Sequence, residues 1–240
     1  MAIAIGSTAT ASTGSATFVT TPGVTTQVSG STFWLGGAFG TGKFSSWSDA
    51  KGNTYAQIGT TQTSGAGSDG RQDQKINGTG GASHTQTINL SSATYATIFG
   101  VEITGADTTA PLDQSGGNVD STSPYTSPSI TTTVTNELLI GFSCEDSSGT
   151  IVHTFGNTFT LQREQQDGAN FMTGAMGTRL VTSTLTTATS ITVTGSVTDS
   201  IAFIATYKEA GSGGGPTITY PELERNVRGV CRGVLSHMRH

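Results

Sequence analysis

The sequence predicts an all-β protein: two tandem, duplicated copies of an antiparallel β-sandwich, Ig-like or jelly-roll-like, followed by a short tail that is helical or extended. Three observations predict it. The composition is rich in β-branched and turn residues, apolar residues alternate with period two, and a set of motifs occurs twice in the same order.

Composition comes first. The 240 residues include 45 Thr, 27 Ser and 33 Gly, and only 11% are charged while 33% are hydrophobic. A polar chain with little charge can be disordered, but disorder goes with high net charge and few β-branched residues. Here Thr, Val and Ile recur in alternating runs, the pattern of half-buried strands. Many short strands separated by Gly- and Ser-rich turns make a sandwich or barrel.

Alternation places the faces. Leu138, Ile140 and Phe142 alternate with Leu139, Gly141 and Ser143. Ile201, Phe203, Ala205 and Tyr207 alternate with Ala202, Ile204, Thr206 and Lys208. Successive side chains of a strand point to opposite faces, so each set shares one face. Gly and Asn tolerate positive φ, which makes Asp49–Asn53 and Thr154–Asn157 hairpin turns. Trp34 lies inside an alternating strand and is expected in the core, as are Phe99 and Phe203.

The repeat sets the domain boundaries. Thr21-Pro22-Gly23-Val24-Thr25-Thr26 matches Ser127-Pro128-Ser129-Ile130-Thr131-Thr132 at an offset of 106. Gly52-Asn53-Thr54-Tyr55 matches Gly156-Asn157-Thr158-Phe159 at an offset of 104, as does the strand at Phe99 with that at Phe203. Residues 1–106 are therefore read as repeat 1 with an N-terminal arm at 1–15, and 127–210 as repeat 2. Residues 107–126 are read as a connecting surface loop. Residues 211–240 are a Gly hinge and an amphipathic docking tail.

Charge narrows the function. The net charge is −5, with the last 30 residues contributing +2 and the remainder −7. So few cations exclude a phosphate-binding surface for nucleic acid. Cys144 and Cys231 make no CxxC or Cys/His spacing, so no disulfide framework or metal site is expected. Met1-Ala-Ile-Ala-Ile-Gly lacks a basic n-region and an apolar h-region. Neither a signal peptide nor a membrane span is expected, and the chain is expected to be made and assembled in cytoplasm.

No motif predicts catalysis or a cofactor. Gly37–Lys43 follows a phosphate-loop pattern until Phe44 stands where the loop needs Ser or Thr, and no helix follows. Gly65–Gly70 reads GxGxxG without a strand before and a helix after. A Ser hydrolase needs a His held by a carboxylate. The body offers His84 and His153, and His153 aligns with Asp49 of the other repeat, a variable surface position. Asp69, Asp73, Glu145 and Asp146 could bind calcium through loop oxygens, but no 12-residue loop pattern is present and solvated acids are expected. The sequons at Asn77 and Asn89 are expected by chance in a Thr-rich chain. Among the aromatic residues Trp47 and Tyr55 are the possible ligand face, since rings near a turn can stack on sugars.

The tail carries a docking pattern. Pro221, Glu222 and Glu224 suit a helix start, and Arg232, His237 and Arg239 its end. Leu223, Val227, Val230, Val234 and Met238 recur at helical spacing. Gly229 and Gly233 weaken such a helix by about 1 kcal/mol each. The segment is expected to dock on a partner through Leu223, Val227, Arg228, Val230, Arg232 and Val234, or to fold back on its own body.

The Gly-Asn-Thr-aromatic turns at Gly52–Tyr55 and Gly156–Phe159, with Glu102–Gly105, Pro111–Gln114 and Asn136–Ile140, resemble those of phage virion and bacterial surface β-sandwich proteins. The likeness covers about residues 15–210. It implies a non-catalytic virion protein, a capsid decoration, head fibre or tail component, acting in assembly, stabilisation or adhesion. Implied partners are other copies, other virion proteins and host surface glycans. The alternative is a carbohydrate-binding or adhesive module of a bacterial surface protein.

Overall fold

The computed structural model describes residues 1–167 and 171–211, and the docking residues Leu223, Val227, Arg228, Val230, Arg232 and Val234 lie outside them. The described elements are all strands. In the first half these are β1 (Ala4–Thr20), β2 (Ser31–Gly40), β3 (Phe44–Asp49), β4 (Ala56–Thr63), β5 (Ser68–Gly78) and β6 (Gln86–Thr104). The second half has β7 (Leu112–Asp120), β8 (Tyr125–Thr126), β9 (Ile130–Thr131), β10 (Glu137–Ser147), β11 (Val152–Phe155) and β12 (Thr160–Gln166). It continues with β13 (Met172–Val181), β14 (Thr186–Thr187), β15 (Ser190–Thr194) and β16 (Val197–Lys208).

One large sheet runs in the order β1-β6-β2-β5-β4, with β3 paired to the start of β6. The other runs β7-β16-β10-β13-β12, and two small sheets, β11-β15-β8 and β14-β9, accompany it. The pairings are antiparallel. The central strands β2 and β10 are buried on both faces, which explains their apolar and glycine-rich sequences.

The large sheets pack face to face over one core. Trp34, Phe99 and Val101 of the first meet Ile140, Phe142 and Phe203 of the second. Trp34 stands edge-on to Phe142 at 5.5 Å, and Phe99 lies 5.4 Å from the same ring. Two glycines let the sheets approach. A Cβ on Gly70 of β5 would sit 2.5 Å from Cys144 Sγ and 2.8 Å from Phe203, and one on Gly174 of β13 would sit 3.1 Å from Phe99. The outer face of each large sheet is covered by its own half. Phe39 and Ile98 pack with Ile88, Phe44 and Trp47, while Leu139 and Ile204 pack with Ile130, Phe155 and Phe159. Along one edge, Thr10 Oγ1 of β1 donates to Gln165 Oε1 at 3.0 Å and Ser12 Oγ to the Gln166 carbonyl at 2.7 Å.

Two expected segments differ. The arm at 1–15 is the first part of β1, an edge strand paired with β6. The connector at 107–126 is no surface loop, because β7 pairs with β16 and β8 with β15. Both sheets need an edge strand, and these polar stretches supply it. The phosphate-loop-like Gly37–Lys43 is the end of β2 and its turn, and Gly65–Gly70 is the β4–β5 turn running into β5.

Candidate functional site

Trp47 and Tyr55 flank the turn after β3, and Asp49 between them organises the corner. Gly52 takes φ 72° and closes the turn. Asp49 Oδ1 accepts the amides of Lys51 and Asn53, each at 2.9 Å. Its Oδ2 accepts Asn53 Nδ2 at 2.6 Å and the Tyr55 hydroxyl at 2.8 Å, and lies 3.0 Å from His84 Nε2. Burial opposes the Asp49 charge, but the donors His84, Asn53 and Tyr55 outweigh it and hold the carboxyl far below its usual range. Burial, then the Asp49 charge, pushes the Tyr55 phenol well up. His84 Nδ1 is 3.2 Å from Thr26 Oγ1. A Thr–His–Asp line thus exists, but Thr26 and His84 are buried, and Thr26 Oγ1 already accepts the Gly81 amide. The line ties the loop before β2 to the turn after β3.

Trp47 does not join Tyr55 in a ring platform through its indole face. That ring packs 5.8 Å from Phe44 in the cluster over β2, and its N–H is buried without an acceptor.

The second half places a different cluster beside its own small sheet. His153 is 3% exposed, so the expectation of a variable surface residue is corrected. Its Nδ1 is 2.5 Å from Glu164 Oε1 on β12 and its Nε2 is 2.9 Å from Glu145 Oε2 on β10. Ser200 Oγ of β16 donates to Glu145 Oε1 at 2.9 Å. Both ring nitrogens face carboxylates, and a neutral imidazole has one N–H. The charged ring satisfies both. Burial alone would lower His153, but Glu145 and then Glu164 push it up to about 9.

The acids expected in solvent are also placed differently. Asp69, Asp73 and Glu145 are buried. Asp69 accepts the Gly42 amide at 2.8 Å and Thr63 Oγ1 at 2.7 Å. Arg71 grips Asp73 through two hydrogen bonds of 2.6 and 2.7 Å while its guanidinium lies 4.0 Å over Phe44. Each acid has partners that take the place of water. The signal was present for Glu145, which continues the alternating set Leu139, Gly141, Ser143 onto the face under the small sheet. No described group of three or more His, Cys, Asp or Glu is arranged to hold a metal ion. A cavity of about 510 Å³ is lined by Ile5, Leu138, Thr160, Gln162, Arg179 and Leu180 among others, and neither Trp47 nor Tyr55 borders it. No described helix is long and apolar enough to cross a membrane.

Compared with known proteins, the chain matches no family model, no curated protein and no solved structure. What fold and clusters define together is an all-β protein of the β-sandwich class, whose buried ionisable groups bind strand to strand.

Proposed function

We propose that the chain is a non-catalytic structural protein of a bacteriophage virion, a capsid decoration, head fibre or tail component. The observation that carries this reading is how the imidazoles are used. His84 and His153 are both buried against carboxylates and hydroxyls that are themselves held in backbone or side-chain hydrogen bonds. A catalytic base must reach a substrate proton. These rings serve as fasteners, which is what a load-bearing shell or fibre component requires. The turn motifs that resemble virion sandwiches and the low content of Lys and Arg favour the same reading.

We also propose that the two halves are copies of one jelly-roll-like or Ig-like unit. The strand orders β1-β6-β2-β5-β4 and β7-β16-β10-β13-β12 support it. So does register: Gly36 pairs with Phe99 and Phe142 with Phe203, the same pair under offsets of 106 and 104. The reciprocal contacts Phe203 on Gly70 and Phe99 on Gly174 follow from that correspondence.

The tail stripe, Leu223, Val227, Val230 and Val234 with Arg228 and Arg232, is then the segment that docks on another copy or another virion protein. Electron microscopy with antibody against the purified chain tests the reading. Labelled particles, with labelling lost on deletion of residues 212–240, are expected. Labelled bacterial surfaces without labelled particles contradict it and favour the adhesive module.

A further inference from the structure

Each half buries a glutamate where the edge strand meets the central strands, and the two sites differ in which strand carries the acid and in what serves it. In the first half Glu102 of β6 is fully served. Its Oε1 accepts the Gln27 amide and Ser31 Oγ, each at 2.7 Å, and its Oε2 accepts the Ser7 amide at 3.2 Å. In the second half the acid stands on β10. Glu137 Oε1 accepts the Val134 amide at 3.2 Å, but Oε2 is buried and makes no well-formed hydrogen bond. Glu137 is 0% exposed, so leaving that oxygen unpaired is costly.

Beside the Glu137 carboxyl stands another acid, Asp113. Asp113 on β7 accepts the Thr133 amide at 2.8 Å and Thr133 Oγ1 at 2.5 Å. The amides of successive residues, 133 and 134, thus serve the two carboxyls, which brings them side by side. Under the offset of 106, Asp113 stands where the first half has Ser7. Two ionised carboxylates side by side, Glu137 buried and Asp113 half-buried, repel, and neither has a proton to donate. A single proton on Glu137 Oε2 removes the repulsion and turns the orphaned acceptor into a donor toward Asp113.

We propose that Asp113 and Glu137 form a proton-sharing carboxyl pair that fastens edge strand β7 to the second sheet and loosens it when the proton leaves. Burial first, and then the Asp113 charge, raise Glu137 from its ordinary value, against the opposing pull of Thr206 and the Val134 amide. The other facing groups are few. The Thr206 hydroxyl on β16 reaches the Glu137 carboxyl while its Oγ1 accepts the Gln114 amide of β7 at 3.0 Å, and Val181 on β13 is apolar. Lys208 on β16 stands opposite Glu137 in register, and its charge acts on Asp107. Because the folded value is raised, the pair's stabilisation is present below the ordinary value of 4.5 and is lost as pH rises through the folded one. The proposal does not depend on the virion reading.

Thermal unfolding of the full chain from about pH 4 to about pH 8, compared with Asp113→Ser, Asp113→Asn and Glu137→Gln, tests it. The three variants remove one ionisable partner each, so one that fails to fold leaves the others. The wild type should lose about 2–4 °C relative to each variant as pH rises through the window, the shift of roughly one buried interaction. Under the same conditions amides of 112–120 should exchange faster in the wild type than in Asp113→Ser at the upper pH. Parallel melting curves for wild type and all folded variants overturn the proposal. So does a wild-type curve that calcium chloride flattens and EDTA restores, since the pair would then hold a cation.

Discussion

The two nitrogens of His153 tie three strands of the second half through one ring. Glu145 reaches it from β10 and Glu164 from β12, while the ring belongs to β11. Its folded value, about 9, lies above the ordinary 6.5. The stability it contributes is therefore complete below about pH 6.5 and is lost as pH rises through about 9. The difference in melting temperature between wild type and His153→Leu, measured across that window, should shrink toward the alkaline end. Below it, His153→Leu should cost about 3–5 kcal/mol, because Glu145 is left buried without its counter-ion. Asp49 has the opposite sign. Its carboxyl is held low, so its contribution is present above the ordinary 3.8 and fades as the solution is acidified. Tyr55→Phe removes one donor to that carboxylate and should cost about 1.5–3 kcal/mol in chemical denaturation at neutral pH. An unchanged denaturation midpoint would show that the turn amides, Asn53 and His84 hold the Asp49 corner without Tyr55. At this scale the sequence was least legible. Glu145 and Asp73 are polar letters in strands; alternation marks Glu145 as inward, and nothing in the polar run of β5 marks Asp73. Their partners, His153 and Arg71, become neighbours through pairing across strands or across two-residue spacing that composition does not reveal.

At the scale of the strand, period-two alternation was an accurate guide. Leu138, Ile140 and Phe142 do share a face, and Phe99 and Phe203 are fully buried in one cluster. The edge strands were illegible for the same physical reason that the central ones were clear. β1 and β7 bury little, so their Thr, Ser, Gly and Asn carry almost no apolar period, and they read as an arm and a loop. Gly70 of β5 and Gly174 of β13 were equally silent, since their crowding comes from neighbours on other strands and, in part, on the opposite sheet. Gly70→Val and Gly174→Val should each destabilise the chain by about 1–3 kcal/mol, because the added side chain meets Cys144 and Phe203 in one case and the Ser143 carbonyl, then Phe99, in the other. Combining Gly174→Val with Phe99→Leu should recover part of the loss, measured by a double-mutant cycle. Additive losses would mean that Gly174 and Phe99 do not pack on each other.

For the molecule as a whole, the two halves do not keep separate cores. The large sheet of each half buries its inner face on the other half, so Trp34, Phe99, Phe142 and Phe203 belong to a single cluster. Four layers result: a cover, two large sheets, and a second cover. A shell or fibre component built this way resists stress as one body, which links the fold to the proposed role. Burying a Phe in such a core contributes about 3–5 kcal/mol against Ala. Calorimetric unfolding of the wild type beside Phe99→Ala and Phe203→Ala tests the shared core most directly. One transition is predicted, with calorimetric and van 't Hoff enthalpies equal, and both substitutions should move that whole transition to lower temperature. Two resolved transitions, with Phe99→Ala shifting one and Phe203→Ala the other, would contradict it.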